Sequence, residues 1–187
     1  AFKSLKISLS ISYMTIKPII TVPNEILKKI SDPIEKVGES EKKLVNDLFE
    51  TMYNSNGIGL AAVQVGILKR ILVVDVSTKE EKKKPMCFIN PIIRKFSDDT
   101  SIYEEGCLSI PDTFIEIERP KICEVEFIDI DGKINNLKCD GLLSTCIQHE
   151  INHLDGKLII DHLSKLKRDL IVKKISKTKK DPDRIIV

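Results

Sequence analysis

Apolar residues recur along this chain at two spacings, and the change from one to the other divides it. Leu44, Leu48 and Met52 repeat every four residues with Val45, Phe49 and Tyr53 beside them, which predicts a helix with one broad apolar stripe from about Glu41 to Tyr53. Asn54-Ser55-Asn56-Gly57 ends it. Before it, Asn24 can cap a short helix through Ile30 that Pro33 closes. After it the pattern becomes that of strands. Arg70 to Val76 is a β-branched run, Met86 to Ile89 follows a charged loop at Lys79 to Lys84, and Ile122 to Ile130 alternates apolar residues with acids. Asp131-Gly132 then offers a tight turn into Lys133 to Cys139, an antiparallel pairing. Gly141 opens a helix whose apolar positions Leu142, Leu143, Cys146, Ile147 and Leu154 wrap much of its circumference, so it should be buried, and Gly156 suits its stop. Ser164 caps a last helix in which Leu166, Leu170 and Ile171 are expected to dock while Lys165, Lys167, Arg168, Lys173, Lys174 and Lys177 face outward. A single α+β domain follows, with antiparallel β-sheets packed around the central helix that Gly141 opens, and a helix at the C-terminal end.

Composition narrows the function classes. A chain of 187 residues holds one domain with a real core, and its apolar runs fall far short of the ~20 residues a membrane helix needs, so no membrane partner is expected. The net charge of +2 is too small to argue for specific DNA binding. Five cysteines form an odd set without a Cys-x-x-Cys pair, which fits a reducing compartment. Cys87, Cys123 and Cys139 lie in strand-like runs and read as core. Residues 1–15 form an N-terminal extension without acids that reads as a transit-peptide remnant, or as a strand in which Ile7, Leu9 and Ile11 alternate with Ser8, Ser10 and Ser12. The start at Ala1 fits processing, and the excess of lysine over arginine fits an A+T-rich genome.

Chemistry concentrates in His149-Glu150-Ile151-Asn152-His153. On a helix the two histidines project from one face a turn apart and can share an ion, while Glu150 can reach a water there without being a ligand. Cys107, in Glu105-Gly106-Cys107-Leu108-Ser109, supplies a third ligand, and Gly106 permits close approach of backbone to substrate. Two imidazoles and a thiolate leave a fourth tetrahedral position for water, the mark of a catalytic rather than a structural site. His162 lies nine residues past His153 and is expected to stay out of the site. Gly57-Ile58-Gly59-Leu60-Ala61-Ala62-Val63-Gln64 lacks the ending of a phosphate loop, and its small residues suit either a tightly packed strand or a backbone lying close to an extended ligand, with Gln64 offering an amide donor.

Taken together and in this order, the segments at 57–64, 105–109 and 148–156 closely resemble the three signature segments of the peptide deformylases, with Ile117, Arg119 and the Asp131-Gly132 turn also matching and the likeness running from about Ile16 to Ser164. The resemblance makes residues 16–187 the catalytic domain. It implies that Cys107, His149 and His153 hold one divalent ion, Fe(II) natively with zinc, nickel or cobalt able to replace it. It implies that Glu150 is the general base, and that Gln64 and the Leu108 backbone N–H stabilise charge on the formyl oxygen. The substrate is an N-formyl-methionyl peptide, extended beside Ile58, Gly59, Glu105 and Gly106, with Ile58, Leu142 and Cys146 around the methionine side chain. Asn152 departs from the aspartate usual in the family; the expectation is retained chemistry with altered metal affinity. Alternatives are a zinc peptidase, which generally takes a downstream rather than an upstream third ligand, and a silent metal- or peptide-binding module, against which Glu150 and Gln64 argue. The basic last helix reads as a solvated face, or as a surface for ribosomal RNA. Formylated initiators, with the acid-free leader and the A+T-biased composition, point to an organelle of bacterial origin (plastid, apicoplast or mitochondrion), with a bacterial cytoplasm as the alternative.

Overall fold

The computed structural model describes residues 15–78 and 80–180. The leader or strand expected within residues 1–15 therefore falls, except for Thr15, outside the described residues. A 3-10 turn at Glu25–Lys28, with the Asn24 carboxamide accepting from the Ile26 N–H, stands where a short helix to Ile30 was expected. Helix α1 (Glu39–Asn54) is followed by strands β1 (Gly59–Ala61), β2 (Ile71–Val74), β3 (Met86–Phe96), β4 (Thr100–Cys107), β5 (Ile110–Pro120), β6 (Ile122–Ile128) and β7 (Ile134–Asp140). Helix α2 (Gly141–Leu154) then leads through a 3-10 turn at Ile159–His162 to helix α3 (Lys165–Lys180).

The pairings among these strands are antiparallel, and one isolated parallel bridge joins Asp32 to Lys69. Five strands form one sheet in the order β1-β2-β3-β6-β7, and β4 and β5 form a separate two-stranded ribbon. The run Ile71-Leu72-Val73-Val74 does not alternate because both faces of β2 are covered. Leu72 and Val74 pack towards Ile147, Ile151 and Leu154 of α2, whereas Ile71 and Val73 pack towards Leu44, Leu48 and Met52 of α1. The chemistry-bearing helix is thus held between the large sheet and the ribbon, with a third cluster formed by Ile115 and Ile117 of β5, Leu158 to Ile160 and Ile175 of α3. Gly156, at φ 71°, turns the chain after α2 and passes so close to the Lys28 backbone that a side chain there would collide with it.

Three expectations are corrected. The β4–β5 ribbon was not foreseen, because two of its inward positions carry Glu105 and Arg119, so the apolar alternation of a half-buried strand is broken. The β6–β7 connection is longer than a two-residue turn. The strands end at Ile128 and Ile134, and the Asp129 carboxylate organises the loop by accepting from the Asp131 and Lys133 N–H groups and the Asn135 amide. In α3, Leu166 and Leu170 do not dock, being 71% and 59% exposed; the helix packs instead through Ile171, Val172 and Ile175, because its axis presents the following face to Ile159 and Ile160.

The start of α1 is fixed electrostatically. Glu41 caps the helix through the Gly38 N–H and meets Lys69 at 2.6 Å, and this ion pair, followed by the Gly38 and Ser40 hydrogen bonds, lowers its pKa to about 2. A carboxylate depressed on folding stabilises the protein above its unfolded pKa and loses that contribution as pH falls through its folded one. Glu41→Gln is therefore expected to lower stability by ~1–2 kcal/mol at neutral pH, discounted for the half-exposed lysine. The gap should close between the ordinary value of 4.5 and about 2, as read by urea titrations across that range.

Candidate active site

Helix α2 supplies His149, Glu150 and His153 from its last two turns, where nearly every side chain is buried. The histidines stand one turn apart, with their Nε2 atoms separated by 3.2 Å. The C-terminal end of β4 brings Cys107 to them, its Sγ 3.2 Å from His153 Nε2, and the three donor atoms all lie within 4.8 Å of one another. Around an ion roughly 2.0–2.1 Å from each nitrogen, tetrahedral geometry sets neighbouring donors about 3.3 Å apart. The 3.2 Å spacings between the two imidazoles and between Cys107 and His153 come within a few tenths of an ångström of that arrangement. His162 is exposed in the following 3-10 turn, and among the described residues no fourth ligand joins the cluster.

The surroundings of His149 favour positive charge, while burial holds the His153 pKa well below its ordinary value. Burial works to lower the pKa of His149, but the Cys107 thiol and the Glu105 carboxylate outweigh it and push it up to about 10. His149 Nδ1 lies 2.8 Å from Glu105 Oε2, which directs Nε2 towards Cys107 and His153. Glu105 is in turn gripped by Arg119 through Nε at 2.5 Å and Nη2 at 3.0 Å. Burial would raise the Glu105 pKa; the His149 and Arg119 hydrogen bonds outweigh it and hold the carboxyl below its ordinary range. Arg119 Nη1 reaches Asn152 Oδ1 at 2.8 Å, so a chain of contacts runs from Asn152 through Arg119 and Glu105 to a metal-ligating type of side chain. Sequence reasoning left Arg119 without a role. The signal was its place after Ile115 and Ile117 on the inward face of β5, where a buried guanidinium requires a partner.

Glu150 is 4% exposed, and its Oε2 has no hydrogen-bond partner. Burial, with the neighbouring Glu105 charge adding to it, raises its pKa to about 7 against the pull of His149 and Arg119. Strand β1 passes directly over it: a Cβ on Gly59 would lie 2.5 Å from Glu150 Oε1 and 2.8 Å from Cys146 Sγ, so this crossing requires glycine. The Gln64 amide is oriented by the Ala61 N–H, which donates to its Oε1 at 2.8 Å, leaving Nε2 directed at Ser109 Oγ (3.2 Å) and Cys107 Sγ (3.8 Å).

A cavity of about 470 Å³ collects the sequence-predicted positions. Ile58, Gly59, Gln64, Glu105, Gly106, Cys107, Leu108, Leu142, Cys146, His149 and Glu150 all line it, and His153 lies beneath as a buried floor. Ile58 and Leu142 are half-exposed at the mouth. The Glu105 side chain is committed to Arg119 and His149, so this residue offers the groove its backbone. Two strand edges flank the groove: β1 is the outer strand of the large sheet, and among the described residues β4 pairs only with β5. An extended peptide can enter between such edges as an added strand.

Three converging soft and imidazole donors beside a proton-accepting carboxylate, at the floor of a groove shaped for peptide backbone, define a metal-dependent hydrolase. Residues 16–169 match the family model for polypeptide deformylase. The chain is 57% identical over 174 residues to the peptide deformylase of Pelagibacter ubique, covering 93% of this chain and 100% of that protein. It is 49% identical over 167 residues to the peptide deformylase of Rhizobium meliloti, covering 89% and 96%. Its fold superposes on the crystal structure of peptide deformylase from Ehrlichia chaffeensis with a TM-score of 0.86 at 41% identity, over 90% of this chain and 99% of that one. The same protein in complex with actinonin superposes with a TM-score of 0.84. The chain belongs to the polypeptide deformylase family, whose members remove the formyl group from the amino terminus of new polypeptides with the aid of a single metal ion.

Proposed function

We propose that the chain hydrolyses the formyl amide of formyl-methionyl peptides, with Cys107, His149 and His153 holding one divalent ion and Glu150 carrying the proton. The observation that supports this most strongly is the partnerless Oε2 of Glu150, buried beside the three-donor cluster. Bound there, the ion would supply Lewis acidity, polarising a carbonyl and acidifying a water. Glu150, with its pKa near 7, is poised to take the proton of the attacking water and return it to the leaving amine nitrogen. Gln64 Nε2 and the Leu108 backbone N–H donate to the formyl oxygen as negative charge gathers on it. Gly59 and Gly106 let the peptide backbone approach, while Ile58, Leu142 and Cys146 surround the methionine side chain. Metal-loaded protein should release formate from formyl-Met-Ala-Ser without cutting the Met-Ala bond; cleavage of that bond instead would point to a peptidase.

Fe(II) is the proposed native ion, since a thiolate with two imidazoles suits it as well as zinc, nickel or cobalt. Asn152 keeps the acceptor that Arg119 needs but lacks the charge of an aspartate. Asn152→Asp would draw Arg119 away from Glu105, leaving that carboxylate a stronger partner for His149. Metal affinity is expected to rise about tenfold, with turnover within a few-fold of wild type. Equal affinities in chelator competition would contradict a tuning role for this position.

The relatives reported above come from bacteria, which supports a bacterial cytoplasm over an organelle. The organelle reading rests on the acid-free sequence of residues 1–15 and on the composition. A ribosome-docking role for α3 is supported by its exposed Lys165, Lys167 and Lys173 together with Leu166 and Leu170. Reversing those three lysines to glutamate should weaken cosedimentation with ribosomes at low salt if the helix docks there.

A further inference from the structure

Buried polar atoms without a partner are uncommon and each requires an explanation. Among the described residues they belong to Thr21, Ser31, Ser101, Thr145, Glu150 and His153, and of these only Thr145 and Glu150 line the cavity. The proposed mechanism uses Glu150 and leaves Thr145 unexplained. Thr145 is 4% exposed on α2, and its Oγ1 is sealed from water. Its neighbours on both sides are satisfied: Ser144 Oγ donates to the Pro120 carbonyl at 3.4 Å, and Cys146 Sγ donates to the Ile58 carbonyl at 3.6 Å. A valine would fill the same volume in the same helix without burying an unpaired hydroxyl. Rules of packing broken without local compensation point to function.

Ile58, Leu142 and Cys146, the other side chains assigned to the methionine pocket, offer it only apolar surface or a thiol already engaged. A thioether sulfur is a weak acceptor, and a hydroxyl is a donor whose hydrogen turns to suit. Threonine in a helix divides between two side-chain rotamers, and a turn of about 120° between them carries Oγ1, Cγ2 and Hβ round together, so a substrate sulfur can select the rotamer that meets it. We propose that Thr145 is a specificity-determining residue whose hydroxyl donates to the thioether sulfur of the substrate's first side chain. The inference rests on the deformylase reading above. Norleucine has the shape of methionine with a methylene in place of sulfur, so fit treats the two alike; a donor left without an acceptor does not.

The test compares kcat/KM of the metal-loaded protein for formyl-Met-Ala-Ser and formyl-norleucyl-Ala-Ser in the wild type, Thr145→Val and Thr145→Ser. Taking each ratio within one protein cancels differences in folding and metal content, and comparing ratios between proteins cancels the unequal hydrophobicity of the two side chains. The methionine-to-norleucine ratio is expected to fall about three- to fivefold in Thr145→Val and to be kept in Thr145→Ser. The melting temperature of Thr145→Val should match or exceed that of wild type, since the variant removes an unpaired buried donor. An unchanged ratio in Thr145→Val overturns the proposal, and a lowered melting temperature with an unchanged ratio assigns the hydroxyl a structural role instead. Formate release from neither peptide by the metal-loaded wild type overturns the deformylase reading, and this inference with it.

Discussion

Glu150→Ala should lose at least about 10³-fold in kcat for formate release while keeping its metal and its affinity for peptide. The side chain contributes no ligand atom to the Cys107, His149 and His153 cluster, so its removal leaves those donors and their spacing in place. It also leaves the strand edges of β1 and β4, on which peptide binding depends. What disappears is the one carboxylate able to move a proton at the cavity floor, whose raised pKa of about 7 comes from burial first. Metal content by elemental analysis and product binding by calorimetry separate the two roles. A variant that loses metal in parallel with activity would make Glu150 a structural support; one that keeps most of its turnover would move the proton transfer to another group.

Arg119→Ala should have the second largest effect, and on two quantities at once. Its guanidinium makes two buried bonds to Glu105 and a third, part-buried, to Asn152. Removing it leaves the Glu105 carboxylate buried with the His149 ring as its side-chain partner, and breaking a buried pair in this way costs about 3–5 kcal/mol. The same loss frees Glu105 to shift, so the orientation of His149 is no longer fixed and metal affinity should fall about 10- to 100-fold. Urea denaturation and chelator competition read the two effects independently. A stability loss with unchanged metal affinity would show that the Asn152-Arg119-Glu105-His149 chain holds the fold but not the ligand.

The helices were legible because their apolar stripes are long and regular: α1 lies within two residues of its expected start, and α2 begins at Gly141 as expected. The ribbon was hidden for a reason tied to function. Glu105 and Arg119 face inward where leucine or valine would announce a strand, and they do so because they brace His149. The chemistry-bearing residues were legible as types at fixed spacings, since two histidines a helical turn apart and a distant cysteine have few uses in common. Their mutual arrangement was not. No local pattern links Gln64 to Ser109, or Gly59 to Glu150, because the first contact arises where the turn after β1 meets the β4–β5 connection and the second where β1 is laid across α2. Thr145 was equally invisible, for an unpaired hydroxyl is a property of its surroundings and not of the sequence around it.

Anaerobic titration of the metal-free protein with Fe(II), following formate release from formyl-Met-Ala-Ser together with X-ray absorption at the iron edge, tests the central claim most directly. Activity should rise linearly to one equivalent and then stop, with one sulfur and two nitrogen neighbours at the ion, the donor set of Cys107, His149 and His153. Activity that is independent of added metal, or an ion bound without sulfur, would contradict the account.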